Sequence, residues 1–342
     1  MTSGLFSVFD ALPPPSSTSG TAPVFVVRQV ARFQNYYVGK DGGGKACLLI
    51  RMMESPGRSP PPIRLESIDA QFELLCQVTD GTGETSEGKF TVVRCRSTER
   101  ETIWYFFSVC QIIARHLGDE PSRNDLAQAV QKLASIFQNI GKPPVKSLNG
   151  LFGELFFISR SRRPTSAIRN WRIDESARYD FSVDDIRFEV KTAAGRRRLH
   201  TFSYEQCNPP QDTHAIVASF MIERAPNGIK LHDLISDIER SIGGDEDLLI
   251  KLHRIVSSTL GSTLREAFEV TFDQHLAADS LLFFDLRSIP AIRGEQPPGV
   301  SDVRFVSDLS RSDPIGPSAL IDLDPLFWDF MPEDQAEDHW PE

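Results

Sequence analysis

The segment that decides the fold is a stretch of 13 residues near the middle of the chain. Residues 179–191 read Tyr-Asp-Phe-Ser-Val-Asp-Asp-Ile-Arg-Phe-Glu-Val-Lys. Apolar and polar residues alternate on both sides of Asp184-Asp185, which is the pattern of two short strands joined by a tight turn. The segment is therefore predicted to form a β-hairpin.

This hairpin would bring two carboxylates and an amine together. Side chains alternate between the two faces of a strand, so Glu189 and Lys191 share a face. Asp180 lies on the alternate face from Phe181 and can meet Glu189 across the pair. Carboxylates are hard oxygen ligands that suit Mg²⁺ or Mn²⁺, and a divalent ion polarises a phosphoryl oxygen while Lys191 offsets developing negative charge. The set is typical of metal-assisted phosphodiester hydrolysis, and a surface hairpin with solvated charges is the alternative.

Two flanking segments carry further candidates. Glu154 is the one charge in the apolar run 150–157 and is either a satisfied, half-buried carboxylate or a metal ligand. Downstream, Arg196-Arg197-Arg198 is either a phosphate-binding patch or a solvated turn. Residues 160–200 hold eleven Lys or Arg against six acids, a local net charge of +5. His200 and Gln206 follow this basic stretch and could reach a phosphate.

Together these segments resemble the core of a PD-(D/E)XK nuclease, the restriction-endonuclease-like fold. More narrowly, they resemble a bacterial subfamily of PD-(D/E)XK motif proteins that is often found beside restriction or phage-defence genes. The residues that carry the resemblance are Gly150–Leu155, Asp180, Glu189–Lys191 and His200–Gln206.

The resemblance also implies roles for individual residues. Asp180 and Glu189 would bind the metal, Lys191 would be catalytic, and Glu154 would support both the metal and catalysis. Gln206 is similar to a downstream Gln of exonuclease-like members, although the Tyr expected a few residues later is absent. Tyr179 stands where the motif has Pro, a position that tolerates substitution in this fold.

The predicted fold class is α+β. It combines an N-terminal β-rich domain with a C-terminal restriction-endonuclease-like α/β core, in which helices flank a central mixed sheet. Residues 168–173 are predicted to be strand-like, and 264–276 to be a helix. Two further helices are predicted to begin at Ser122, which has Asp125 three residues on, and at Ser147. The predicted segments are a flexible tail at 1–23, a β-rich domain at 24–97, a helical connector at 98–145, a nuclease-like domain at 146–300 and an acidic segment at 301–342.

Net charge alone would argue against DNA as a partner. The 342 residues include 37 Lys or Arg and 47 Asp or Glu, a formal net charge of −10. However, residues 301–342 contain eleven acids and two Arg, a net charge of −9, which leaves −1 for the first 300 residues. The acidity therefore belongs mainly to the C-terminal segment, which can solvate the protein or compete with DNA for the basic stretch.

Other features exclude several classes of protein. The five Cys are far apart and include no Cys-x-x-Cys, which argues against a disulfide framework or a thiolate zinc site and favours the cytoplasm. No run approaches the roughly 20 apolar residues that a membrane helix needs. Residues 39–45 match Gly-x-x-x-x-Gly-Lys, but Ala46 and a strand-like segment follow, so a glycine-rich hairpin turn is expected rather than a phosphate loop.

The sequence thus favours a Mg²⁺- or Mn²⁺-dependent deoxyribonuclease that acts in bacterial restriction or phage defence. Its expected partners are DNA and other subunits of such a system, with a homodimer among the options. The alternative is a catalytically inactive nuclease-fold protein that binds DNA or serves as a scaffold subunit. A nucleotide-binding protein that uses residues 39–45 is a third hypothesis.

Overall fold

The computed structural model of this chain describes residues 4–14, 23–52, 58–173 and 177–333. These residues confirm an α+β protein with several sheets. They belong to two compact units, one within Met1–Val145 and Leu249–Glu266, the other within Lys146–Leu248 and Ala267–Glu342.

Strands dominate the chain before α2, and helices and strands are mixed after it. The helices are α1 (Leu5–Asp10), α2 (Arg100–Leu117), α3 (Arg123–Ile140), α4 (Leu148–Arg160), α5 (Pro164–Asn170), α6 (Tyr204–Cys207), α7 (Leu231–Ile242), α8 (Glu246–Leu260), α9 (Leu264–Glu269), α10 (Gln274–Asp279) and α11 (Pro317–Leu323), with 3₁₀ turns at Gly261–Thr263 and Pro325–Phe330. The strands are β1 (Val24–Gln29), β2 (Tyr36–Asp41), β3 (Ala46–Arg51), β4 (Ile63–Arg64), β5 (Ile68–Thr79), β6 (Thr85–Cys95), β7 (Phe181–Val183), β8 (Ile186–Ala193), β9 (Leu199–Ser203), β10 (His214–Met221), β11 (Arg224–Lys230), β12 (Thr271–Phe272), β13 (Leu282–Asp285) and β14 (Arg304–Asp308).

The first unit is built on a closed sheet. Its strands follow the order β1-β2-β3-β6-β5, and a parallel pairing between β1 and β5 closes the ring. Inward-facing apolar side chains fill the interior, because alternate residues of every strand point inward. Residues 39–45 lie at the β2–β3 turn, where Gly44 N donates to Asp41 O at 2.8 Å. This confirms the expected hairpin turn.

Helices complete the first unit. The predicted helix start at Ser122 is confirmed, since its side chain accepts a hydrogen bond from Asp125 N and caps α3. Part of the predicted N-terminal tail is helical instead: α1 buries Phe9, whose ring centroid lies 5.3 Å from that of Phe107. Apolar burial explains this helix, which the Pro- and Ser-rich composition around it concealed.

The second unit contains a mixed sheet in the order β13-β10-β8-β7. Strand β10 runs parallel to β8 and antiparallel to β13, and β7 pairs with β8 as the predicted hairpin. Helix α4 packs on one face, with the rings of Phe156 and Phe220 5.4 Å apart. A second apolar cluster, which includes Tyr179 and Phe202, lies against the sheet together with the β9–β14 ribbon.

Two predicted elements of the chain after α4 are wrong. Residues 164–170 form helix α5, with Pro164 at its first turn, where strand-like residues were expected from 168 onward. The predicted helix at 264–276 is divided into α9, β12 and α10, because Asp273 caps a new helix and Thr271–Phe272 pair with β11. Local periodicity does not reveal such tertiary pairing.

The acidic C-terminal segment is folded as far as the described residues extend. Strand β14 pairs with β9, and Phe327 and Phe330 are buried in the second unit. Residues 334–342, which carry four of its acids, lie outside the described residues, as do 1–3 and 15–22 of the predicted tail. Of the helices in the described part of the chain, none has the length and apolarity needed to cross a bilayer.

Candidate active site

The hairpin brings the predicted acids together at its open end. Phe181 pairs with Phe188 and Val183 with Ile186, and Asp184 closes the turn with a positive φ of 43°. Continuing this register by one residue sets Asp180, which directly precedes β7, beside Glu189. The spacing in the sequence therefore predicted this juxtaposition correctly.

Asp180 is a buried carboxylate held by the neighbouring strand. It is 4% exposed, and its Oδ2 accepts a hydrogen bond from Val190 N at 3.0 Å. Its Oδ1 accepts from Lys146 Nζ at 3.0 Å. Burial alone would raise the pKa of Asp180, but Lys146, the Val190 N–H and Lys191 outweigh it and lower that pKa. The side chain is therefore a fixed negative charge.

Glu189 and Lys191 form an ion pair on the same face of β8. Lys191 Nζ lies 2.7 Å from Glu189 Oε1 and 5.2 Å from the centroid of the Phe202 ring. Burial and the nearby charge of Asp180 raise the pKa of Glu189 to about 7, although Lys191 opposes this shift. Burial lowers the pKa of Lys191, but the Glu189 carboxylate outweighs it, so the net shift is upward. Lys191 is an ammonium ion at neutral pH.

Glu154 is committed to contacts within the protein. Its Oε2 accepts from Trp171 Nε1 at 2.5 Å and from Arg172 Nε at 2.8 Å, and its Oε1 accepts from Arg172 at 2.7 Å. The carboxylate is 2% exposed. Of the two interpretations of Glu154, the geometry favours the satisfied, buried carboxylate over the metal ligand, because three of its roughly four lone-pair positions accept hydrogen bonds from Trp171 and Arg172.

Lys146 is a site residue that the sequence did not reveal. Its Nζ lies 3.0 Å from Asp180 and 3.5 Å from Glu154 Oε1, and its side chain remains 45% exposed. Burial lowers the pKa of Lys146, but the charges of Glu154 and Asp180 outweigh it and raise that pKa. The only local signal was its place directly before Ser147, the residue that caps α4.

A cavity of about 730 Å³ opens onto these side chains. Six of the nine predicted site residues line it, and Lys146, Arg178 and Arg304 add positive charge to its wall. The six predicted residues are Glu154, Asp180, Glu189, Lys191, His200 and Gln206.

The three consecutive arginines are not part of the cavity lining. Arg198 is 8% exposed and donates to Ser219 O at 2.6 Å and to Ser219 Oγ at 2.9 Å, so its guanidinium holds strands together rather than facing a ligand. Burial lowers its pKa to about 10. Arg197 is exposed and pairs with Asp308, and Arg196 is exposed. The expected DNA contact for Arg198 does not fit its burial.

His200 and Gln206 support the cavity wall from β9 and α6. His200 Nε2 lies 2.8 Å from Ser219 Oγ, and burial together with Lys191 and Arg198 lowers its pKa to about 4. Gln206 Oε1 accepts from Ser203 N at 3.0 Å while its own backbone N–H donates to Ser203 Oγ at 3.2 Å, which is a capping box. Both side chains therefore have structural partners.

The acids present fit a divalent cation held by two carboxylates. Asp180 and Glu189 offer hard oxygens at the cavity, and a cation would relieve the repulsion that raises the pKa of Glu189. Mg²⁺ is usually bound by one or two carboxylates plus substrate phosphates, so a third acid is not required. Across the described ranges, no group of three or more His, Cys, Asp or Glu could hold a metal ion.

Comparison with known proteins identifies the family. A family model described as "Putative PD-(D/E)XK family member, (DUF4420)" matches residues 7–310. Searches of curated proteins and of solved structures gave no match. The matched range covers most of the 342 residues and includes the whole hairpin with Asp180, Glu189 and Lys191. On this evidence the chain belongs to the PD-(D/E)XK family, as the residues of its hairpin predicted.

Proposed function

We propose that this protein hydrolyses phosphodiester bonds of DNA with the help of Mg²⁺ or Mn²⁺. The observation that carries the proposal is the convergence of Asp180, Glu189 and Lys191 at one cavity. Two hard carboxylates beside an ammonium match the chemical needs of phosphoryl transfer, namely a cation site and a group that offsets developing negative charge.

Each of the three residues would have a distinct role in hydrolysis. Asp180 and Glu189 would hold the cation, which when bound supplies polarisation of a phosphoryl oxygen and activation of water. Lys191 is kept charged by Glu189, and its ammonium can donate a hydrogen bond to a non-bridging phosphate oxygen. Because the acids are buried, their charges act in a medium that screens them poorly.

DNA is supported as the substrate by the basic side chains of the cavity wall, which together with a bound divalent cation outweigh its five acids, Glu154, Asp180, Glu189, Glu205 and Asp302. Lys146, Arg178, Lys191 and Arg304 line it, and such side chains contact phosphates in most complexes of proteins with nucleic acids. Family membership points in the same direction. The proposal extends to a role in bacterial restriction or phage defence, with other subunits of such a system as partners, on the strength of the subfamily resemblance.

Cleavage assays with purified variants test the proposal. We expect the wild-type protein to cleave plasmid or oligonucleotide DNA with Mg²⁺ or Mn²⁺ and to lose activity when EDTA removes the ion. Asp180→Asn, Glu189→Gln and Lys191→Met should each reduce the rate by about 100-fold or more, since each removes a group that acts on the transition state.

Asp185→Asn is the matched control, because Asp185 lies on the same hairpin but is exposed at its turn. It should cleave at the wild-type rate. Cleavage that persists at equal rates in wild type and in all three site variants would come from a contaminant and would contradict the proposal.

An inactive, DNA-binding nuclease fold is the second candidate function. It is favoured by the fact that Asp180 and Glu189 are each already paired with a lysine, at 3.0 Å and 2.7 Å. This candidate predicts salt-sensitive DNA binding without metal dependence. Calorimetric titration with Mn²⁺ separates the two, because only the first candidate predicts binding that Asp180→Asn abolishes.

A further inference from the structure

Lys146 lies next to Asp180, one of the two carboxylates that the proposed function assigns to the cation. Its Nζ lies 3.0 Å from Asp180 Oδ1, and both residues line the cavity. The other oxygen of Asp180 accepts a backbone N–H from Val190. Lys146 therefore covers the part of this carboxylate that the strand leaves open.

The ion pairs around the cavity are balanced without any metal. Three carboxylates meet three cations, in contacts of 2.7 Å to 3.5 Å. These groups are Glu154, Asp180 and Glu189 on one side and Lys146, Arg172 and Lys191 on the other. With all three acids ionised, a doubly charged ion added to this set leaves a net charge of +2, whereas the same ion with Lys146 withdrawn leaves +1.

Among the three cations, Lys146 is the one able to withdraw. Its side chain is 45% exposed, compared with 16% for Arg172 and 20% for Lys191. Arg172 is held by two hydrogen bonds to Glu154, and Lys191 lies over the ring of Phe202. Lys146 precedes α4 and lies outside regular secondary structure, so its four-carbon side chain can turn toward solvent.

We propose that Lys146 is a built-in competitor of the divalent cation at Asp180, so that its ammonium must leave this carboxylate before a metal ion can bind there. This inference rests on the proposed function and names a regulatory residue of the same site. Its consequence is that Lys146 weakens metal binding by the free protein, and that its removal strengthens it. Removal of a residue with a merely structural role would leave Mn²⁺ binding unchanged or weaken it.

Calorimetric titration of the full-length protein with MnCl₂, without DNA, tests the inference. Lys146→Met should bind Mn²⁺ about tenfold more tightly than wild type, because a positive charge close to the ion has been removed. Lys146→Arg, which keeps the charge, should bind like wild type. Lys142→Met is the matched control for total charge, since Lys142 is exposed and its Nζ contacts Asn139.

The outcomes separate this inference from the proposed function. Wild-type binding with equal or weaker binding by Lys146→Met overturns the role of Lys146 and leaves the proposed function standing. Tighter binding by Lys146→Arg or Lys142→Met as well would also overturn it. Absence of binding in every protein, Lys146→Met included, overturns both. If Lys146→Met does not fold, Lys146→Gln provides the same comparison, because its amide can still donate to Asp180.

Discussion

Glu154, Asp180 and Glu189 are each at most 5% exposed, yet they accept hydrogen bonds from different donors. Glu154 accepts three hydrogen bonds from Trp171 and Arg172, and Lys146 Nζ lies 3.5 Å from its Oε1, which leaves little of this carboxylate open to a ligand. Asp180 meets Lys146, whose partly exposed side chain can turn toward solvent, whereas Glu189 pairs with Lys191, which lies over the ring of Phe202. Since buried charges require partners, the identity of those partners decides which carboxylate can bind a ligand.

His200 supplies a pH-dependent contribution to stability at the residue scale. Burial, with Lys191 and Arg198, lowers its pKa from 6.5 to about 4. Between pH 6.5 and pH 4, His200 therefore binds a proton in the unfolded chain but not in the folded chain. Because the pKa of His200 is lower in the folded state, the stability that its neutral form contributes is fully present above pH 6.5. That contribution is lost as the pH falls from 6.5 toward 4.

We expect His200 to reduce the free energy of unfolding by about 2 kcal/mol between pH 7 and pH 5. Urea denaturation of wild type and His200→Gln at both pH values gives the change in the free energy of unfolding for each protein. The difference between these two changes is the contribution of His200. Glu189, whose raised pKa acts in the opposite direction, is common to both and cancels. An equal pH dependence in the two proteins would refute the buried, neutral imidazole.

At the scale of elements, the site depends on how closely α4 approaches the sheet. Gly153 faces β8 and β10, and a Cβ at that position would lie 2.5 Å from Thr192 Cγ2 and 3.4 Å from Val190 Cγ1. The absence of a side chain therefore lets the helix bring Glu154 toward Asp180. Helix propensity alone would favour Ala at position 153, but the close packing of α4 on the sheet leaves no room for its methyl group.

Gly153→Ala should lower the free energy of unfolding by about 1–3 kcal/mol, because the added methyl group overpacks the contact between α4 and β8. Gly150→Ala on the same helix is the matched control, as its Cβ would meet only Ser147 Oγ at 3.4 Å. That variant should be stabilised by up to about 1 kcal/mol through higher helix propensity. Chemical denaturation of both measures the contrast, and equal effects would contradict the packing argument.

At the scale of the whole molecule, the C-terminal acidic segment is part of the second unit. The Phe330 ring lies 5.1 Å from Phe188 and 6.2 Å from Phe181, both of which belong to the hairpin. The segment therefore contributes to the core beneath the site as well as to the net charge. Deleting residues 301–342 would remove this packing along with the acids, so such a deletion cannot isolate competition with DNA.

Phe330→Ala should cost about 3–5 kcal/mol of stability, as expected for truncation of a buried aromatic ring. Leu323→Ala is the matched control, since Leu323 belongs to the same C-terminal segment but is 53% exposed. It should change stability by no more than about 0.5 kcal/mol. Thermal and urea denaturation provide both values, and a small effect of Phe330→Ala would show that the segment does not belong to the core.

Features with a local physical cause were predictable from the sequence. Alternation along 179–191 predicted the hairpin and the meeting of Asp180 with Glu189, and helix caps at Ser122 and Ser147 marked where α3 and α4 begin. The Gly-rich segment 39–45 was correctly predicted to be a turn because a strand follows it. Period-2 geometry and capping depend on residues only a few positions apart.

What the sequence by itself determined is the family, the α+β class and the acidic pair with Lys191 on one hairpin. Only the tertiary structure showed that Lys146 meets Asp180, that Arg172 and Trp171 donate hydrogen bonds to Glu154, and that Arg198 is buried. Lys146 lies 34 residues from Asp180 along the chain, and Arg172 lies 18 residues from Glu154. Their identity depends on how α4 and the sheet pack, because a buried charge pairs with whichever opposite charge the fold brings near it.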